Sequence, residues 1–363
     1  MTVTTKAQAL LSELVSRGLE PEAIAFASAE RYAARRAASK AAPQLPSPDK
    51  LFAGYPGAVV VALPYDPRPA DPPPGIALPL AVGAFAASHR YATLARILKA
   101  AALAFAKERG YARRDFRVAV NSSLHEKALA AASGLAFLGR SSLALTKAYG
   151  PACVLGVLLL PFDPFDAPAP GEAASVGGVP GATSDADLAP RLRPGALCGS
   201  CRACALACPT GAIHPAAAEA AASSLELSLC IQYWASRGDA GADAARPPES
   251  VLKAWGSRLY GCDECVRACP HSAGAYRARG QGIGAVSPAA RVDSLAADGE
   301  RVPGPYVDWL WLRGASEGEI KSYFKGSALG FAWLGPAAIH RNACRAAALP
   351  HAAALGVKES PGI

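Results

Sequence analysis

Eight of the chain's ten cysteines fall between Cys198 and Cys269. Their spacing restricts the fold more than any other feature does. The stretch "LCGSCRACALACPTGAIHP" at 197–215 holds Cys198, Cys201, Cys204 and Cys208 in the order C-x2-C-x2-C-x3-C-P. This is the run of bacterial ferredoxins, in which three closely spaced thiolates grip one iron–sulfur cubane and the fourth reaches a second. One cluster needs four thiolates, so the run alone is one short. "YGCDECVRACP" at 260–270 supplies Cys262, Cys265 and Cys269, and Cys230 lies between the two runs. By the ferredoxin crossing rule, Cys198, Cys201 and Cys204 join Cys269, while Cys230, Cys262 and Cys265 join Cys208. The total of eight is the requirement of two [4Fe-4S] clusters. A pair of structural zinc sites is the alternative, but zinc usually takes separated C-x2-C pairs. Clustered thiols in a chain with no visible export signal point to metal or redox chemistry rather than disulfides. Cys153 and Cys344 stand alone in apolar or Ala-rich surroundings and read as buried structural cysteines.

Hydrophobic residues make up 51% of the 363 residues, enough for a sizeable core. No apolar run is long enough to span a bilayer, and the start lacks the pattern of a signal peptide. The expected location is the cytoplasm, with no membrane partner. The net charge of +8 permits a polyanionic partner such as RNA, although no RNA-binding motif or dense basic run is present.

Residues 1–50 read as two helices, the first amphipathic through Leu10, Leu11, Leu14 and Val15, the second over 21–42. A buried strand follows at 58–63, ended by Pro64. "LARILKAAALAFAKERG" is a helix closed by Gly110, and "LHEKALAAASG" one that stops at Gly134. "FRVAVNSS" and "ACVLGVLLL" are strands. Alternating strands and helices make residues 1–160 an α/β domain. A Pro/Gly/Ala-rich linker or loop occupies 161–196, the ferredoxin-like two-cluster module 197–275, and a short helical C-terminal region 276–363, where Ser316 and Glu319 have the spacing of a capping box. "GSALGFAWLG" follows no strand, so it is not a dinucleotide fingerprint.

The order of motifs resembles the epoxyqueuosine reductase family. The matching stretches are "VALPYDP" (61–67), "HRYATLARIL" (89–98), "VNSSLHEKALAAASGLAFLGRSSLAL" (120–145), "YGPACVLGVLL" (149–159), "CGSCRACALACPTGAI" (198–213), "CIQYW" (230–234), "YGCDECVRACP" (260–270) and "FKGSALGFAWLGPAAIHRNA" (324–343). The resemblance implies a cobalamin-binding α/β part, two [4Fe-4S] clusters, and reduction of the epoxide of epoxyqueuosine in tRNA to an alkene. Reductive dehalogenases share this architecture. The implied reductant is a flavodoxin- or ferredoxin-like protein.

The resemblance also locates departures. Asn121 stands where the family carries its catalytic aspartate, and an amide is no acid. His125 and Glu126 are nearby replacements, and Tyr91 is a further proton donor. Tyr91, Gly139 and Arg140 are the positions implied to contact the cofactor, with Arg140 in place of the family's lysine. Val157 replaces a glutamate, and His271 replaces the usual tryptophan. Two other functions fit the same residues: a corrinoid-dependent reductase of another small molecule, dehalogenase-like in its logic, and a non-catalytic iron–sulfur electron carrier.

Overall fold

The fold is taken from a computed structural model that describes residues 3–39, 41–165, 188–215, 224–238, 246–277, 287, 289–290 and 302–347. The first half is built on four strands in the order β1-β2-β7-β4. They are β1 (Ile24–Ser28), β2 (Gly57–Pro64), β4 (Arg117–Val120) and β7 (Cys153–Leu160). The runs "GAVVVALP" and "CVLGVLLL" are apolar throughout because β2 and β7 lie inside the sheet, covered on both faces. All three pairings in this sheet are antiparallel. Helices nevertheless intervene: α1 (Thr5–Ser16), α2 (Ala29–Ala38), α3 (Pro48–Phe52), α4 (Arg90–Arg109) and α5 (Glu126–Ala132). The α/β character of this half stands.

The second helix expected over 21–42 is split. Residues 24–28 are strand β1, paired along its length with β2, and only 29–38 are helical. Alanine-rich "IAFAS" has no strong local preference, and the waiting edge of β2 decides its state. Helix α1 seats fully buried Leu10 and Leu14 against the core, whereas Val15 is exposed. Helix α4 lies on β7 at Gly156, where a Cβ would come within 2.8 Å of Leu94. Gly110 ends α4 in the left-handed conformation, as its sequence position suggests.

A short hairpin of β5 (Ala136–Leu138) and β6 (Ala144–Thr146) carries the turn "GRSSL". The Gly139 N–H donates to the Leu143 carbonyl at 2.9 Å, and a Cβ on Gly139 would overlap the Leu145 side chain. The end of the expected linker docks here. Residues 188–192 form a helix against α5 and β5, and the Gly195 N–H donates to Leu138 O at 2.9 Å. The middle of that stretch, 166–187, lies outside the described residues, as does most of 276–301.

The second half has its own core around fully buried Trp255, Phe324 and Leu334. Its sheet contains a strand from the first half. β3 (Pro79–Val82) pairs in parallel with β8 (Arg258–Tyr260) and antiparallel with β9 (Tyr306–Asp308). The C-terminal helices, Trp309–Gly314, Glu317–Phe324 and Gly335–Ala347, close this core. They are part of a packed layer rather than an appended tail. The capping box is formed: Ser316 Oγ accepts from the Glu319 N–H, and Glu319 Oε2 accepts from the Ser316 N–H at 2.8 Å. Cys344, expected to be buried, is exposed on the last of these helices. Among the described residues no helix is long and apolar enough to cross a membrane.

Candidate functional site

The crossing of β3 into the second sheet sets the position of the second cysteine run. The Gly83 N–H donates to Tyr260 O at 2.7 Å. A Cβ on Gly261, whose φ is +98°, would lie 2.6 Å from the Gly83 Cα. Only glycine allows both this approach and this backbone. The next residues are Cys262 and Asp263, and Asp263 Oδ2 accepts from the Ala84 N–H at 2.7 Å. The first half therefore holds the metal-ligating loop directly by its backbone.

The eight cysteine thiols gather in two sets. Burial, followed by the nearby Cys198 and Cys201 thiols, raises the pKa of Cys204. Burial also raises Cys269, which Cys204, Cys198 and Cys201 push further. Cys230 is raised by burial, held back by backbone hydrogen bonds from Tyr233 and Gln232, and raised further by the nearby Cys208. Cys265, raised furthest, answers to burial, then Cys262 and Cys230, and then Cys204 of the other set. These neighbourhoods put Cys198, Cys201, Cys204 and Cys269 near one another, and Cys208, Cys230, Cys262 and Cys265 near one another. They also place the two sets side by side, with helices Ala203–Ala207 and Glu264–Arg267 packed together. Thiols crowded this way resist ionising together unless a cationic centre lies among them. The C-x2-C-x2-C-x3-C-P spacing of the first run suits cubanes better than mononuclear zinc.

The sets differ in surroundings. Cys201 is exposed, and the first loop is gripped by Arg140, itself 3% exposed. The Arg140 guanidinium donates to the carbonyls of Cys201 (3.2 Å), Gly199 (3.2 Å) and Pro215 (2.8 Å). Its backbone N–H points at Cys198 Sγ, 3.4 Å away. Arg140 was expected at the corrinoid; the β5–β6 turn instead aims it at the first cysteine loop. Neither Gly139 nor Arg140 lines the cavity described next.

That cavity, of about 420 Å³, has two kinds of wall. The second half contributes Cys208, Cys230, Cys262 and Cys265, and the first contributes Tyr65, Phe85, Tyr91, Lys127 and Cys153. Burial, followed by Tyr260, Glu126 and Cys153, pushes the Tyr91 hydroxyl well above its ordinary range, so it stays protonated. Burial lowers the Lys127 ammonium, whose Nζ donates to Ser142 O at 3.0 Å. The Cys153 thiol is pushed up to about 12 by burial. It lines the cavity partly exposed, rather than lying deep in the core. Asp263 is 6% exposed, and its Oδ1 has no hydrogen-bond partner among the described residues. Asp263 and Lys127 belong to no motif in the sequence that marks them as cavity residues. The signal for Asp263 was a carboxylate lodged between two ligand cysteines in "CDEC".

Asn121 is not among the lining residues. It adopts the left-handed conformation at φ +48° in a loop closed by Glu126, whose Oε1 accepts from Ser122 N (2.8 Å) and Oγ (2.9 Å). Glu126 thus serves as a loop clasp, and His125 is exposed. The structure brings together Tyr91 and one cysteine set but leaves Asn121 and His125 outside.

Residues 197–272 match the family described as a 4Fe-4S double cluster binding domain. An epoxyqueuosine reductase of Burkholderia pseudomallei is 32% identical over 145 residues, 40% of this chain and 29% of that protein. One from Francisella cf. novicida is 29% identical over 157 residues, 43% of this chain and 34% of that protein. The aligned segments thus span about a third or less of those relatives. The fold match is broader. An epoxyqueuosine reductase solved with an epoxyqueuosine-modified tRNA stem loop superposes with TM-score 0.60 at 21% identity, covering 96% of this chain and 83% of that one. The Bacillus subtilis enzyme, with its catalytic loop swung out of the active site, gives TM-score 0.60 at 22% identity, covering 96% and 82%. Fold and cysteine sets together define a double-cluster [4Fe-4S] iron–sulfur protein with an α/β first half. The chain is similar to epoxyqueuosine reductases in sequence over about two fifths of its length and in fold over nearly all of it.

Proposed function

We propose that this protein is a cytoplasmic reductase that takes electrons singly through two [4Fe-4S] clusters to a cobalamin in the cavity. There it reduces the epoxide of epoxyqueuosine in tRNA. The observation that carries this reading is the shared wall: four cysteines of the second set and an aromatic surface of the first half enclose one space. Tyr65, Phe85 and Tyr91 give an aromatic wall against which a macrocycle can pack, and the unpartnered Asp263 Oδ1 is an acceptor for one of its peripheral amides. When bound, cobalamin supplies a low-potential cobalt for reducing a strained carbon–oxygen bond.

The reaction consumes two electrons and two protons and releases water, leaving an alkene. A proton donor must therefore face the cavity. With Asn121 outside, Tyr91 is our choice of donor among the protonated groups there, which also include Tyr65 and Cys153, and Lys127 is the nearby cation. The exposed Cys201 side is where a flavodoxin- or ferredoxin-like donor docks. One observation favours a second reading: an amide at the family's acid position is also what a reductase of a different small molecule would show. The deciding experiment loads the anaerobically purified chain with cobalamin, reduces it, and supplies tRNA bearing epoxyqueuosine. Conversion to queuosine is expected. Absence of turnover in a sample with full iron and bound cobalamin refutes the tRNA substrate.

A further inference from the structure

One aromatic cluster beside the cavity has no part in the reading above. Trp333 is 49% exposed although it is among the largest apolar side chains. Its ring is stacked on Phe331, with centroids 4.4 Å apart and planes 9° from parallel. Phe331 in turn meets Tyr91 edge-on at 5.7 Å, and Tyr91 lines the cavity. The three rings form a ladder from the surface to the reaction space.

The outer end of this ladder is held in place. A Cβ on Gly238 would overlap the Trp333 carbonyl, so the two backbones are in contact. Arg341 clamps that neighbourhood by donating to Arg237 O (2.6 Å) and Gly238 O (3.4 Å). The Arg237 guanidinium lies over Tyr233 and Trp234 at 5.7 and 5.2 Å, and Tyr233 also lines the cavity. The rim therefore pairs a stacked aromatic platform with fixed guanidinium groups. An open π face flanked by cations is the recognition chemistry of single-stranded nucleic acid, in which a base stacks and a phosphate is neutralised. The chain's charge of +8 suits a polyanion.

We propose that Phe331 and Trp333 form a stacking site for one unpaired base of the RNA, next to the nucleotide that enters the cavity. This deepens the tRNA reading and rests on it. The test uses the full chain with its clusters, under anaerobic conditions. Anisotropy of a labelled RNA stem-loop of the anticodon-arm type is compared with that of the same stem as a plain duplex. The parent is expected to prefer the stem-loop. Trp333→Ala should weaken stem-loop binding about tenfold and leave the duplex unchanged. Trp333→Tyr should restore most of it, with iron content and circular dichroism unaltered in both. A parent that prefers the stem-loop, with Trp333→Ala binding it equally well, overturns the platform and leaves the tRNA reading intact. A parent with no stem-loop preference overturns both.

Discussion

The two cysteine sets share one ligand chemistry and differ in what surrounds them. The first opens to solvent at Cys201 and is gripped by the buried Arg140. The second lines the cavity, and burial pushes Cys265 furthest of all. Cluster potentials respond to exposure, nearby charge and hydrogen bonds to sulfur. On the proposed reading, these unequal surroundings would give the relay a direction, in at the exposed set and out at the enclosed one.

The largest effect should come from breaking the inner set. Cys265→Ser should lower iron from about eight to about four per chain and abolish reduction, measured by iron quantitation and turnover. Four irons with turnover retained would mean that the inner set is not the delivery point. Next is the wall opposite that set. Tyr91→Phe should slow turnover about a hundredfold, the usual scale for a lost acid, while iron and cobalamin contents stay level. Because burial raises the Tyr91 pKa, its hydroxyl keeps its proton above pH 10. It should therefore add no alkaline fall to the parent's rate below that pH. Arg140→Gln acts on the outer set. It should cost about 2 kcal/mol of stability from the lost buried charged hydrogen bonds. It should also shift the potential of one cluster in an EPR-monitored titration and leave the other in place. The smallest effect concerns the loop outside the cavity: Asn121→Asp should change the rate less than about twofold, far below the scale of a working acid. A large acceleration would show that this loop reaches the reaction space.

Cysteine spacing made the two sets legible, because a cubane imposes its geometry on short stretches of chain. Continuous apolar runs did the same for β2 and β7. β3 was not legible: "PLAV" is short, starts with proline, and is a strand only through partners far along the chain. β1 was hidden for the same reason, since pairing overrode its alanines. The role of Arg140 escaped because it depends on how a hairpin turn faces a distant loop. The exposure of Cys344 depends on which face of the last helix the second core covers.

The backbone contact of Gly83 with Gly261, with β3 woven between β8 and β9, ties the cysteine-bearing half directly to the wall of the cavity. The second cysteine set and the opposite cavity wall are then held at a spacing set by the fold itself. On the proposed tRNA reading, turnover should then be paced by entry and departure of the RNA rather than by a swinging redox arm.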